Sequence, residues 1–293
     1  MKKNILVAPL NWGLGHATRC IPIINTLLQF DYTPVIASDG SALELLKKEF
    51  PNLKTLELPP YNVSYPKSRK HFKLHLIKNS PKLLTAIKAE KKATELILKQ
   101  YNISGIISDN RLGVYSKKAP SIIITHQLNV LSGSTTWLST ALHKKYIERF
   151  NECWVPDFVG AHNLSGKLGH PKKQVTTTKY IGPLSRFNNI TLPKKYDLMV
   201  LLSGPEPQRT ILEQILLKAL KRFSGSVVFV QGVLSEEQTI EKKDNMVIYN
   251  FMTSKLLEKT INESELILSR SGYTTIMDLA KLNKKAFFIP TPG

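Results

Sequence analysis

The sequence has few cysteines and no long apolar run. Its two cysteines among 293 residues, Cys20 and Cys153, lie far apart and form no C-x-x-C or cysteine–histidine motif, which argues against a disulfide framework and a zinc site. We therefore expect two buried, reduced thiols in an intracellular protein. No apolar stretch approaches the length of a membrane span. The apolar fraction of 42% is typical of a soluble globular protein and argues against disorder.

Acidic residues are scarce relative to basic ones. There are 22 Asp and Glu against 41 Lys and Arg, a formal net charge of +19, which favours nucleic acid, an anionic lipid surface or phosphorylated substrates as partners. Lysines interleaved with apolar residues are concentrated in Lys67–Gln100, where we predict one or two amphipathic helices broken at Pro81. The default interpretation of this basic segment is a solvated helix face, and the alternative is contact with an anionic membrane.

The order of apolar runs predicts an α/β protein with two domains. Short β-prone runs alternate with stretches of helical spacing, which indicates crossover units and parallel sheets. A polar connection rich in proline and glycine, between Gly182 and Lys195, separates residues 1–187 from residues 188–293. We expect two Rossmann-like domains facing a cleft. Because the last predicted strand, Ala286–Ile289, is followed by only four residues, we expect the second domain to be truncated.

The first predicted strand leads into a glycine turn. The apolar run Ile5–Leu10 is followed by Gly13, Gly15 and His16, where helical spacing begins. Glycines permit a close ligand approach, and the start of a helix presents free N–H groups that attract an anion. The third glycine of the dinucleotide fingerprint is missing, so we do not predict NAD or FAD binding.

Polar residues follow other predicted strands. Asp109 comes after one strand of the first domain, and His126 and Asn129 follow the next, at positions where parallel sheets bind ligands. The second domain has two glycine turns before helices, at Ser203–Gly204 and Ser271–Gly272. Each could be an ordinary strand–helix turn, but together they favour the diphosphate of a nucleotide.

Three of these motifs resemble a known family. Gly13-x-Gly15-His16-x-x-Arg19, His126-Gln127-x-Asn129, and Ser269–Gly272 followed by Asp278 and Pro290 are similar to the GT-B glycosyltransferases of family 28, which includes the peptidoglycan N-acetylglucosaminyltransferase. The resemblance implies an acceptor-binding N-terminal domain, a C-terminal domain that binds a UDP-sugar, and transfer without a cofactor or a bound catalytic metal. The chain also contains no Asp-x-Asp, the metal–diphosphate signature of the other main transferase fold.

The resemblance also implies roles for individual residues. His16 would be the general base, which its ordinary pKa near neutrality suits, or a contact of the leaving phosphate; the alternative is a histidine that makes one backbone contact at a helix end. Asp109 and His126 are the substitutes as base, and both could equally be structural. Asp278 would bind the ribose hydroxyls. The implied acceptor-side residues are Gly13, Gly15, Arg19, His126 and Asn129, and the implied UDP-sugar residues are Ser203, Gly204, Arg209, Phe251, Met252, Arg270, Ser271, Gly272, Thr274 and Asp278.

Three functions are therefore compared. The leading one is metal-independent transfer of a hexose or N-acetylhexosamine from a UDP-sugar to an acceptor, with the basic segment favouring a lipid-linked or cell-envelope acceptor and a cytoplasmic protein at the inner face of a membrane. A UDP-sugar 2-epimerase of the same fold needs carboxylates in the cleft, where Asp109 is the one candidate. A nucleic-acid-binding module is disfavoured because no recognisable RNA-binding motif interleaves aromatic and basic residues.

Overall fold

The chain forms two compact units. The computed structural model describes residues 2–61, 72–131, 136–171, 177–204, 206–233 and 235–290, with the backbone alone for 72–81. One unit comprises Met1–Leu184 and the other Ser185–Pro292. The division lies three residues before the expected one at 187/188, inside the polar connection that the sequence indicates.

The first unit is built on a seven-stranded parallel sheet in the order β3-β2-β1-β4-β5-β6-β7. Its strands are β1 (Asn4–Pro9), β2 (Thr33–Ser38), β3 (Lys54–Glu57), β4 (Ile103–Asp109), β5 (Ser121–Ile124), β6 (Glu152–Val155) and β7 (Thr178–Tyr180). Its helices are α1 (Leu14–Gln29), α2 (Gly40–Glu49), α3 (Phe72–Tyr101) and α4 (Thr136–Ile147).

Both faces of this sheet are covered, which explains why β1 is apolar from Ile5 to Pro9. Val7 packs with α1 and α2 residues such as Ile24 on one face, whereas Leu6 packs with Ile97 of α3 on the other. Strands buried on both faces are continuous apolar runs rather than alternating ones. With β1 central, the loop that follows it lies at the carboxyl edge of the sheet.

Helix α3 corrects one expectation and leaves another outside the described residues. The predicted break at Pro81 is wrong, because the helix is continuous from Phe72 to Tyr101. Proline costs a helix about 3 kcal/mol, and good helix formers on both sides, together with the packing of Ile97 and Leu98, outweigh that cost. The start of the basic segment, up to residue 71, lies outside the described part of the chain. No helix in the described part is long and apolar enough to cross a membrane.

The second unit has a six-stranded sheet in the order β10-β11-β9-β8-β12-β13. Its elements are β8 (Tyr196–Leu201), α5 (Gln208–Leu220), β9 (Val227–Val230), β10 (Ile240–Lys243), β11 (Met246–Tyr249), α6 (Ser254–Asn262), β12 (Ser264–Arg270), α7 (Tyr273–Lys281) and β13 (Ala286–Ile289). Only β10 pairs antiparallel. We did not predict this strand, because all its residues are exposed and its sequence has no apolar pattern. The expected α/β class with two Rossmann-like units is confirmed.

Candidate functional site

The loop after β1 places His16 in the first turn of α1. Helix α1 begins at Leu14, directly after its N-cap residue Gly13, which has no side chain. Gly13 has a φ of 79°, which L-residues with a side chain rarely adopt. The glycine therefore allows the chain to turn sharply from the strand into the helix, with His16 at the carboxyl edge of the sheet.

His16 belongs to a buried cluster with Arg19 and Asp109, called here the His16 cluster. Asp109 ends β4 and lies beside Pro9 of β1. His16 Nδ1 lies 2.8 Å from Asp109 Oδ1, and the Arg19 guanidinium donates to both carboxylate oxygens through Nε and Nη2. The Asp109 side chain is fully buried and that of Arg19 is 2% exposed, whereas His16 keeps 14% of its side chain accessible. His16 is thus the member of the cluster that solvent can reach.

The charges of the cluster fix its protonation. Burial opposes ionisation of Asp109, but Arg19 and His16 outweigh it and hold the pKa of this carboxyl at about 2. Burial, aided by the Arg19 charge, lowers the pKa of His16 below its ordinary value of 6.5. At neutral pH the cluster therefore holds a carboxylate and a neutral imidazole.

The roles of the two His16 ring nitrogens depend on the tautomer. Arg19 Nη2 and Asp109 Oδ1 both lie close to His16 Nδ1, at 2.7 and 2.8 Å. With its proton on Nδ1, His16 donates to the Asp109 carboxylate, and Nε2 keeps the lone pair with which a base acts. With its proton on Nε2, His16 instead accepts from Arg19 at Nδ1.

The other residues expected on the acceptor side have internal contacts. Arg19 is bound within the cluster, and His126 Nδ1 lies 3.5 Å from Arg19 Nη1. Burial and the Arg19 charge lower the pKa of His126 to about 3, so this imidazole is neutral too. Asn129 donates its amide to the Lys167 carbonyl oxygen at 2.5 Å. Their roles in acceptor binding stay predictions.

A second buried ion network stabilises the glycine loop, and sequence reasoning missed it. The fully buried Arg111 donates through Nε to the Pro9 carbonyl at 3.0 Å, through Nη1 to Glu90 at 2.7 Å, and through Nη2 to Asp39. Asn11 Nδ2 in turn donates to Asp39 at 3.0 Å. This chain of contacts connects the loop before His16 to α2 and α3. A basic residue two positions after Asp109 was the available signal.

In the second unit, the two glycine turns lie side by side. Leu201 of β8 pairs with Ser269 of β12, so the turns that follow these strands share the carboxyl edge of the sheet. Ser203, Gly204 and Ser271 are exposed, and the N-cap residue of α7 is Gly272, which has no side chain. The start of a helix favours a bound anion.

Arg270 lies beneath these turns and is incompletely satisfied. The residue is 5% exposed, and its Nη2 donates to the Gln208 carbonyl oxygen at 2.9 Å. Nε, Nη1 and the neighbouring Gln208 Oε1 have no hydrogen-bond partner among the residues that the structure describes. Burial lowers the pKa of Arg270. A guanidinium buried without its partners is costly, and an anion would supply them.

The remaining residues expected around the donor differ in their surroundings. Arg209 is 8% exposed and paired with Glu206 and Glu213, so its charge is already balanced. Asp278 is also 8% exposed; burial, only partly opposed by a hydrogen bond with Ser185, raises its pKa to about 6. Two residues expected to contact the donor, Phe251 and Met252, follow β11 and are half-buried. A third, Thr274, lies in the first turn of α7 and is also half-buried.

Part of the sequence matches a known domain family, and the chain has distant relatives among known proteins. The glycosyltransferase family 28 C-terminal domain matches residues 208–293. An uncharacterized glycosyltransferase of Methanopyrus kandleri is 23% identical over 96% of this chain and 81% of its own length. The UDP-N-acetylglucosamine–N-acetylmuramyl-(pentapeptide) pyrophosphoryl-undecaprenol N-acetylglucosamine transferase of Haemophilus ducreyi is 23% identical over 61% of this chain and 48% of its own length. The chain resembles glycosyltransferase family 28.

Solved structures share its fold. MurG of Acinetobacter baumannii matches the whole chain and 79% of its own with a TM-score of 0.55 and 13% identity. The glycosyltransferase SsfS6 of Streptomyces sp. SF2575, solved with thymidine diphosphate, matches 99% of this chain and 82% of its own with a TM-score of 0.62 and 12% identity. These likenesses show the GT-B fold.

Proposed function

We propose that this family 28-like chain transfers a hexose or an N-acetylhexosamine from a UDP-sugar to an acceptor hydroxyl, with His16 as general base. The observation that carries the proposal is the neutral imidazole of His16, held at Nδ1 by the ionised, fully buried Asp109. Such a pair leaves Nε2 available for a proton and stabilises the imidazolium that forms.

One base is sufficient for the proposed transfer step. His16 Nε2 takes the proton of the acceptor hydroxyl as that oxygen bonds to the anomeric carbon. The bond between the anomeric carbon and the phosphate oxygen breaks, and UDP leaves with the electron pair. With a pKa of about 2, Asp109 orients His16 and balances its charge rather than taking the proton itself. A positioned base of this kind contributes about 10²–10⁴ in rate.

The second unit supplies groups suited to the leaving diphosphate. Nε and Nη1 of Arg270 have no hydrogen-bond partner among the residues that the structure describes, and α7 starts after Gly272 and the exposed Ser271. Donors fixed before the reaction stabilise the negative charge that develops on the leaving group. We assign the diphosphate to these residues and to Ser203–Gly204, the ribose to Asp278, and the base to Phe251 and Met252.

The proposed acceptor and location rest on two general observations. The Haemophilus ducreyi relative is named for a pyrophosphoryl-undecaprenol substrate, and this chain has a net charge of +19. We therefore propose a lipid-linked or cell-envelope acceptor, used by a cytoplasmic protein at the inner face of a membrane. We also propose that no metal takes part, so that activity should persist in EDTA.

The experiment is UDP release from a panel of UDP-sugars, with and without an acceptor-containing membrane extract. Release that requires the extract, together with radiolabelled sugar in the lipid fraction, supports transfer. Interconversion of the sugar without release supports a 2-epimerase instead. Failure to bind UDP or any UDP-sugar contradicts both enzymatic functions. His16→Ala is the variant that tests the proposed base. Lys255→Ala, which replaces an exposed lysine on α6, is its matched control.

A further inference from the structure

A cavity lies in the second unit, at the end of the sheet opposite the glycine turns. Its volume is about 320 Å³, and it is formed by the segment before β8 and by the connections that follow α6 and α7. Its charged lining residues are Lys194, Lys284, Lys285 and Glu265. Three cations therefore face one anion around a space of small-ligand size.

Two of these lysines are bound to the same pair of acceptors. Lys194 Nζ lies 3.1 Å from the carbonyl oxygens of both Asn262 and Ser264. Lys284 Nζ lies 3.0 and 3.3 Å from the same two oxygens. Each ammonium has three N–H donors, so each retains one beyond these contacts.

Capping of a helix accounts for only one of the two lysines. Asn262 ends α6, where the helix dipole places roughly half a negative charge, and one ammonium there is an ordinary favourable contact. A second full charge exceeds what that helix end can balance. Burial and the charge of Lys194 lower the pKa of Lys284 to about 8, in spite of the opposing effect of Glu265. Among the charged residues that line the cavity, Glu265 is thus the one anion against this pair and Lys285.

We propose that this cavity binds a small divalent oxyanion of the phosphate class between Lys194 and Lys284. The remaining N–H of each ammonium donates to the anion, and Lys285 adds its charge from the next position along the chain. Asn189 and Asn283, whose side chains carry amide donors, also line the cavity. The site is independent of the proposed transfer reaction, because it uses none of the residues assigned to it.

The test uses calorimetric titration of the full chain at pH 8 and low ionic strength. Sulfate is the main probe, because it is a dianion that does not itself titrate at this pH, and inorganic phosphate is the second. Binding should draw a proton onto Lys284, so that the heat of sulfate binding depends on the ionisation enthalpy of the buffer, with an uptake of up to about half a proton. The charged groups that line the cavity with Lys284 are Lys194, Lys285 and Glu265, and the charges of Lys194 and Glu265 act on its pKa.

Substitutions separate this site from the general positive charge of the chain. Lys284→Met and Lys194→Met should each weaken sulfate binding at least tenfold, and Lys284→Met should abolish the proton uptake. Lys255→Met removes an exposed lysine at the other end of α6 and should change neither quantity. Glu265→Gln should tighten binding several-fold, a gain that misfolding would not produce. Equal binding by all variants, the absence of proton uptake, or the absence of saturable binding overturns the proposal.

Discussion

Replacing Asp278 by asparagine tests whether a residue that we assign to binding the ribose of the donor reduces the stability of the second unit. The Asp278 carboxyl is 8% exposed on α7, and its pKa is raised to about 6, chiefly by burial. Its contacts with Ser185, Arg186 and Lys281 oppose that rise without cancelling it. Asparagine has nearly the same shape and keeps an oxygen for the hydrogen bond to Ser185, but it has no charge to bury.

The sign and size of the effect follow from linkage. A carboxyl whose pKa is higher in the folded chain than its ordinary 3.8 binds more protons when folded, so stability falls as pH rises between about 4 and about 6. The difference corresponds to about 3 kcal/mol at pH 7. Asp278→Asn should therefore raise the unfolding free energy of the second unit by about 2–3 kcal/mol at pH 7 and by little at pH 4.

The assay has to distinguish the two units. All three tryptophans, Trp12, Trp137 and Trp154, lie in the first unit, so their fluorescence reports its unfolding alone. Amide hydrogen exchange in β12 and α7, measured in increasing urea, reports the second unit. Asp244→Asn, at an exposed turn, is the matched control and should leave both readouts unchanged. A loss of stability at pH 7, or a gain of equal size at pH 4, would refute the reasoning.

Three further predictions concern the first unit. Asp109→Asn should lower its unfolding free energy by about 3–5 kcal/mol, because Arg19 would remain buried without its partner; a loss below about 1 kcal/mol by urea titration of tryptophan fluorescence would contradict this. Since only neutral His16 acts as base and its pKa is lowered by burial and the Arg19 charge, kcat/KM in the UDP-release assay should fall to half of its plateau only below the ordinary histidine value of 6.5; a half-point above 6.5 would assign the step to another group. Gly113→Ala should lower the free energy of unfolding of the first unit by about 1–3 kcal/mol, because its Cβ would lie 2.3 Å from the Ile87 carbonyl oxygen. Gly272→Ala, whose Cβ meets nothing nearer than 3.8 Å, serves as the control. Equal melting temperatures of the two variants would show that the backbone relaxes.

The fold could be predicted because its signals are local. The apolar run of β1, the glycine turn and the helical spacing of α1 occupy adjacent positions, and repeated strand–helix alternation specifies two parallel sheets. Two features depend on tertiary structure instead. Helix α3 continues through Pro81 because packing outweighs propensity, and the exposed β10 forms because β11 offers it an edge.

The candidate site could be predicted as a set of residues but not as a set of contacts. The sequence indicates that His16 and Asp109 each follow a predicted strand of the first domain, and the structure shows that these two strands pair. Their separation of 93 positions hides the hydrogen bond between them and the pairing of Asp109 with Arg19. The lowered pKa of Asp109 depends on that pairing, so the distinction between a base and a residue that orients it required three-dimensional structure. The network of Arg111, Asp39 and Glu90 has no sequence signal beyond the basic residue two positions after Asp109.

The claim that His16 is the base can be tested by measuring kcat and the UDP dissociation constant for the wild type, His16→Ala and Arg270→Ala. We predict that His16→Ala lowers kcat by about 10²–10⁴ while UDP affinity stays within about twofold, because Asp109 and Arg19 remain paired without it. Arg270→Ala should instead weaken UDP binding, since its buried guanidinium is assigned to the diphosphate. A loss of UDP affinity in His16→Ala as large as its loss of kcat would contradict the account.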